Sequence, residues 1–157
     1  MQHTEFARRI VEMQSTLYRV STTLLPQLCD REDAVQSALE KAWAKRERLR
    51  DDRALRAWVI RILINECHAM LRRRGRETLS DTLPDREVAQ DAEPTLYHLF
   101  TALHEKYRLP LLLHYMEGYS VREISAMLRL PAGTVKSQLH RGRRLLGDLL
   151  DAEEERP

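Results

Sequence analysis

A chain of 157 residues, 43% hydrophobic and 32% charged with only five glycines, can build one generous core or two small ones and is too apolar to be disordered. No apolar run approaches the roughly 20 residues of a bilayer span, and the start MQHTEFARRIVEM lacks the apolar heart of a signal peptide, so the protein is expected in the cytoplasm without membrane insertion. A net charge of +2, from 26 basic and 24 acidic residues, does not by itself argue for nucleic acid, so the distribution of charge has to decide.

From Phe6, apolar residues recur at Ile10, Met13, Leu17, Val20 and Leu24, which predicts one amphipathic helix ended by Pro26. A second helix is predicted from Arg31 to Arg48, with Val35, Leu39, Ala42 and Trp43 inward and Asp33, Gln36 and Glu40 stacked on another face. A third starts near Leu55, turns Trp58, Val59, Ile62, Leu63, Cys67 and Met70 inward, and runs into Arg72, Arg73, Arg74 and Gly75. On that helix Arg61, Asn65, His68 and Arg72 follow at steps of four, three and four, a donor-rich track suited to single-stranded or melting DNA. Trp58 could stack on a base, but its spacing with Ile62 reads better as core. Residues 1–75 therefore form a predicted helical domain.

From Glu77 to Pro94 six acidic residues face Arg86 alone, apolar periodicity is absent, and Pro84 and Pro94 interrupt the stretch, so 76–94 is predicted to be a flexible acidic linker. Beyond it, helical patterns cover Leu96–Leu103 and Glu105–Met116, with Pro110 expected to start or kink a turn and Gly118 to stop the helix. Ser120 and Glu123 have the spacing of a capping box that opens another helix over Ile124, Met127 and Leu128. After a break at Arg129-Leu130, a new helix opens at Pro131, a residue suited to a first helical position. These lengths match a helix-turn-helix. Residues 95–150 make the second predicted domain, followed by an acidic tail over 151–157. The fold class is all-α, two small helical domains on a linker.

On the last helix Val135, Leu139, Leu146 and Leu149 take the inner face, while Lys136, Ser137, His140, Arg141 and Arg144 project outward without an acidic residue among them. Such a face can enter a major groove, where Arg and Lys read guanine edges or neutralise phosphate. It also fits a solvated cationic face on an ordinary hairpin. The mid-helix Gly142 is unfavourable by about 1 kcal/mol against alanine. Cys29 and Cys67 lack any metal spacing and are expected as free thiols, the six histidines form no ligand pair, and no metal or cofactor is expected.

The stretch YRLPLLLHYMEGYSVREISAMLRLPAGTVKSQLHRGRRLL resembles region 4 of extracytoplasmic-function sigma factors, and DREDAVQSALEKAWAKRERLRDDRALRAWVIRILINECHAMLRRRGR resembles their region 2. The resemblance implies a promoter-specificity subunit: region 2 binds the clamp helices of the largest subunit of core RNA polymerase and melts the minus-10 element, while region 4 binds the minus-35 element and the flap of the second-largest subunit. It implies clamp contacts at Asp33, Gln36 and Glu40. It also implies minus-10 recognition at Asn65, within the track of Arg61, His68 and Arg72, and a flipped-base pocket at Asp51, Asp52, Arg53, Ala54 and Leu55. Minus-35 contacts fall on Lys136, Ser137, His140 and Arg141, and His114 takes a position that usually approaches phosphate. Arg129 stands where the family's turn commonly has Gly, and His104 where Pro is frequent. An anti-sigma factor is a further implied partner.

Two other readings remain open to the residues: a stand-alone helix-turn-helix regulator binding an operator as a dimer, and an interaction module that occupies sigma-binding partners without starting transcription. No nucleophile, base and orienting group come together in a recognisable motif, so an enzyme is not expected.

Overall fold

The structure, a computed structural model, describes residues 1–77 and 99–155. Most of the predicted linker lies outside the described residues. The chain divides into two compact units, Met1–Glu87 and Val88–Pro157. Every regular element among the described residues is helical.

The first unit contains α1 (His3–Glu12), α2 (Gln14–Leu24), α3 (Leu28–Lys45) and α4 (Leu55–Glu77), with short 3₁₀ turns at Arg46–Arg48 and Asp52–Ala54. The single helix expected from Phe6 to Leu24 is two, because the backbone tightens at Met13, whose N–H bonds back to the Ile10 carbonyl at 3.0 Å. The apolar stripe runs through this break undisturbed, with Phe6, Met13, Leu17, Val20 and Leu24 all buried, so periodicity carried no trace of it. α2 stops one residue before Pro26, as the proline ring demands: Leu25 is extended at φ −115°, ψ 124°. The carbonyls released at this corner are taken up by buried Arg31, whose Nε and Nη2 donate to Leu25 and Pro26 at 2.8 Å each.

The inward face of α3 differs from the expected one. Ala34, Ala38 and Ala42 are sealed at 0–1% exposure, whereas Val35 and Leu39 are half-buried and Trp43 is 41% exposed. α3 packs closely on α4, and small side chains permit that approach where large ones would hold the backbones apart. On α4 the core is Leu55, Val59, Ile60, Leu63, Ile64 and Cys67; Trp58, Ile62 and Met70, expected inward, are only half-buried. Arg74 of α4 ties back to nearly buried Asp30 at the start of α3 at 2.6 Å, and Lys41 pairs with Glu66 across the same two helices. Cys29 is exposed and Cys67 buried, and neither is in a disulfide.

In the second unit a short helical stretch over 99–102 precedes α5 (Glu105–Leu111), a π-helical turn at Leu112–Met116, α6 (Val121–Leu128) and α7 (Ala132–Glu154). His104, in place of a proline, caps α5 by accepting the Lys106 N–H on Nδ1 at 3.1 Å. Pro110 lies inside α5, and the widened turn that follows it closes through Glu117 N–H to the Leu112 carbonyl at 3.1 Å, with Gly118 at φ +77° turning the chain away. The capping box forms as expected, both bonds present between Ser120 and Glu123. Arg129 adopts the left-handed conformation, φ 55°, that closes the helix-turn-helix. Gly142 is buried where α7 crosses α5, and a Cβ there would stand 3.0–3.3 Å from Leu111 and Tyr107, so any larger residue requires those side chains to shift by a few tenths of an ångström. α7 runs on to Glu154, which places Asp151, Glu153 and Glu154 of the expected tail on a helix. No helix among the described residues is long and apolar enough to cross a membrane.

Candidate nucleic-acid interface

α7 buries Val135, Leu139 and Gly142 and half-buries Leu146 and Leu149, which rotates Lys136, Ser137, His140, Arg141 and Arg144 onto the open side; all five are exposed. Pro131 is the N-cap, with extended ψ 145°, and Ala132 is the first helical residue, so the proline precedes the position expected for it by one. No side chain caps this end, which leaves the first N–H groups of α7 available to an anion. Beside it lies a groove of about 620 Å³ whose lining includes Thr134, Ser137, Gln138 and Arg141 of α7 and Lys106 and Tyr107 of α5. Lys106 escaped the sequence reading because it sits on another helix and only the packing of α5 on α7 brings it to this groove.

His114 is half-buried on the π-helical turn. Its Nδ1 lies 2.7 Å from the Tyr119 carbonyl, and since a carbonyl only accepts, Nδ1 carries the proton. A neutral His114 therefore presents Nε2 as an acceptor, and only the imidazolium donates outward to a phosphate. Tyr115 and Met116, which follow it, are exposed, and Arg143 of α7 lies 6.0 Å over the Tyr115 ring.

In the first unit Asn65 and Arg72 are exposed and Arg61 and His68 half-buried along one side of α4. Trp58 and Ile62, both half-buried, border that track, so apolar and polar surface alternate along it. Before α4, Asp51, Asp52, Arg53 and Ala54 are exposed, and the Asp51 carboxylate accepts the Arg53 N–H at 2.9 Å, closing a local turn. Leu55 is sealed at 0% exposure: as the first residue of α4 it points into the core, so it anchors this loop and offers no side-chain surface to DNA.

Asp33, Gln36 and Glu40 are all exposed on α3, with Gln36 donating to Glu40 at 3.2 Å. Gln36 and Glu40 border a largely apolar groove of about 550 Å³ between α2 and α3, lined also by Tyr18, Leu28, Val35 and Leu39. The sequence reading missed the groove because it sent Val35 and Leu39 inward; the alanine stripe beside them was the available signal. On the outer side of α1, Arg8 pairs with Glu5 at 2.7 Å and with Glu12. The Arg8 hydrogen bond holds the Glu5 carboxyl below the usual carboxylate range, and the same acids raise Arg8 further.

Residues 10–77 match the family description "Sigma-70 region 2" and residues 95–146 match "Sigma-70, region 4". The chain is 30% identical over 156 residues to the RNA polymerase sigma-E factor of Streptomyces avermitilis, covering 96% of this chain and 87% of that protein. It is 32% identical over 148 residues to the ECF RNA polymerase sigma factor SigE of Mycolicibacterium smegmatis, covering 85% of this chain and 57% of that one.

The chain belongs to the sigma-70 family, as an extracytoplasmic-function RNA polymerase sigma factor.

Its fold agrees. The sigma factor RpoE of Bartonella quintana, solved in complex with the anti-sigma factor NepR, superposes with a TM-score of 0.83 at 29% identity over 94% of this chain and 97% of that one. The first unit is thus the region 2 body of this sigma factor and the second its region 4 body, and the exposed face of α7 is the second helix of the region 4 helix-turn-helix.

Proposed function

We propose that this sigma factor docks on core polymerase through the α2–α3 groove, its Gln36 and Glu40 rim and exposed Asp33, reads duplex with α7, and melts the minus-10 element along α4. The observation that supports this most directly is that both units present open faces matched to different forms of DNA. α7 offers an all-polar basic row that fits a major groove; α4 alternates donors with Trp58 and Ile62, which fits unstacked bases.

In this reading Lys136, Ser137, His140, Arg141 and Arg144 contact the minus-35 duplex, with Lys106 and His114 adding phosphate contacts. Asn65, Arg61, His68 and Arg72 hold the melting strand. Extruding a base costs a few kcal/mol, offset by the loop at Asp51, Asp52, Arg53 and Ala54 together with backbone contacts. The apolar groove receives the clamp helices of the largest subunit, and region 4 receives the flap of the second-largest. The protein works in the cytoplasm and does no chemistry of its own; polymerase supplies the catalysis. The complex of the Bartonella relative with NepR supports an anti-sigma factor as a third partner.

The test is run-off transcription from fragmented DNA of the bacterium carrying the gene, with core polymerase, with and without the protein. Discrete transcripts that need the protein and vanish in N65A and R141E are expected. No transcripts, and no co-elution with core polymerase, would return the free-standing regulator to the front.

A further inference from the structure

One side of α1 is given over to the connection between α3 and α4. His3 stands edge-on to Trp43 with ring centroids 5.0 Å apart, and its Nε2 lies 3.1 Å from the Arg46 guanidinium. Three residues on, buried Phe6 meets the same Trp43 ring at 5.4 Å. Three further, Arg9 donates through Nη1 to the Asp52 carbonyl at 2.6 Å. Arg46 completes the group: its guanidinium lies 4.1 Å over the Trp43 ring and donates to the Trp43 carbonyl at 2.8 Å.

The connection is thus gripped at both ends from one helix. Its start is clamped by an aromatic–guanidinium stack and its end by a hydrogen bond spanning 43 residues of sequence. Between Asp52 and Ala54 the backbone makes only a three-residue 3₁₀ turn, closed by Ala54 N–H to the Asp51 carbonyl at 3.0 Å. A turn that short has poor hydrogen-bond geometry and little rigidity of its own. A pocket that selects a base by shape must hold its parts within about 0.5 Å of the productive geometry. Local bonds do not supply that, whereas a tether to a packed helix does.

We infer that α1 is a splint for the base-receiving loop, and that Arg9 is a positioning residue for minus-10 base selection, acting through the Asp52 carbonyl. This rests on the assignment of Asp51, Asp52, Arg53 and Ala54 to the flipped-base pocket. Arg9 touches no DNA in this arrangement. The loss of its bond loosens the loop and flattens the preference between bases, without weakening duplex reading by α7 or docking on core polymerase.

The experiment uses full-length protein in holoenzyme on a promoter obtained by run-off transcription, with each minus-10 base replaced in turn. R9M removes the donor while keeping the side chain's bulk, R9K returns a donor, and D51A with R53A perturbs the loop directly. Amide hydrogen exchange over residues 51–54 is read in parallel on the free proteins. In R9M the preference for the best base at the extruded position is expected to shrink roughly fivefold, and exchange of the loop amides to quicken by a similar factor, as loss of one net hydrogen bond implies. R9K is expected to recover most of both, and retention on core polymerase to stay unchanged.

Unchanged exchange in R9M overturns the splint. Faster exchange with an unaltered base preference, where D51A with R53A does alter it, overturns the role in selection while leaving the pocket assignment standing. If D51A with R53A also leaves the preference unaltered, the pocket assignment itself fails and the inference falls with it.

Discussion

The two helices proposed to meet DNA differ in what shares a face with their basic groups. On α7 the row of Lys136, Ser137, His140, Arg141 and Arg144 is polar and exposed, with Val135 and Leu139 buried behind it and Leu145 surfacing only at its far end. On α4 the row is mixed: Arg61 and His68 are half-buried, and half-buried Trp58 and Ile62 surface beside them. A duplex hides its base faces and offers edges and phosphates, so a reader of duplex gains nothing from apolar surface outside the thymine methyl. A melted strand exposes π-faces, on which an aromatic ring is worth about 1–3 kcal/mol per base. The contrast teaches that the form of DNA proposed for each body follows the apolar content of its exposed face more than its charge.

Substitutions can break that contrast. The largest effect is expected from R141E, which replaces a groove-reading cation by an anion beside phosphate: promoter output should fall by about 100-fold while retention on core polymerase is kept. Duplex binding by gel shift and core co-elution check it together. W58A comes next, with open-complex formation reduced about tenfold and minus-35 duplex binding unchanged, read by permanganate reactivity of unpaired thymines. Equal loss of duplex binding in W58A would erase the distinction between the two faces.

Two further changes sharpen it by testing what holds α7 in place. G142A is expected to lower stability by about 1 kcal/mol, because overpacking against Leu111 and the Tyr107 Cβ costs about 1–3 kcal/mol and outweighs the helix-propensity gain of about 1. Thermal unfolding checks the sign, and a more stable G142A would mean α5 yields. R129G, by contrast, should stabilise by up to about 1 kcal/mol, since glycine accepts φ 55° without the side-chain strain an arginine carries. The smallest effect belongs to the exposed Glu5–Arg8 pair. Its carboxyl is held below the usual range, so whatever it contributes is present at neutral pH and is lost as pH falls through the carboxylate range. R8A should leave neutral-pH unfolding almost unmoved and slightly reduce its acid sensitivity.

Where local rules govern, the sequence was enough. The Ser120–Glu123 capping box, the stop at Gly118, the end of α2 before Pro26 and the open basic row of α7 all follow from contacts within one or two turns of chain. Where a residue's neighbour comes from another helix, it was not. Val35, Leu39, Trp43 and Trp58 satisfy an inward stripe by size and spacing, yet α3 and α4 approach through Ala34, Ala38 and Ala42, which leaves the larger side chains partly in solvent. Leu55 sits inside a loop motif in sequence and inside the core in space.

By itself the sequence determined helical content, the order of two sigma regions and the exposed basic row of the last helix, because periodicity, caps and motif spacing are properties of short stretches. Only the tertiary structure decided which stripe each helix buries, how closely Gly142 meets Leu111 and Tyr107, how Lys106 joins the α7 groove and how His3, Phe6 and Arg9 hold the end of α3 and the loop before α4. These depend on the distance of closest approach between helices, and close packing sets that distance by the side chains of both partners at once.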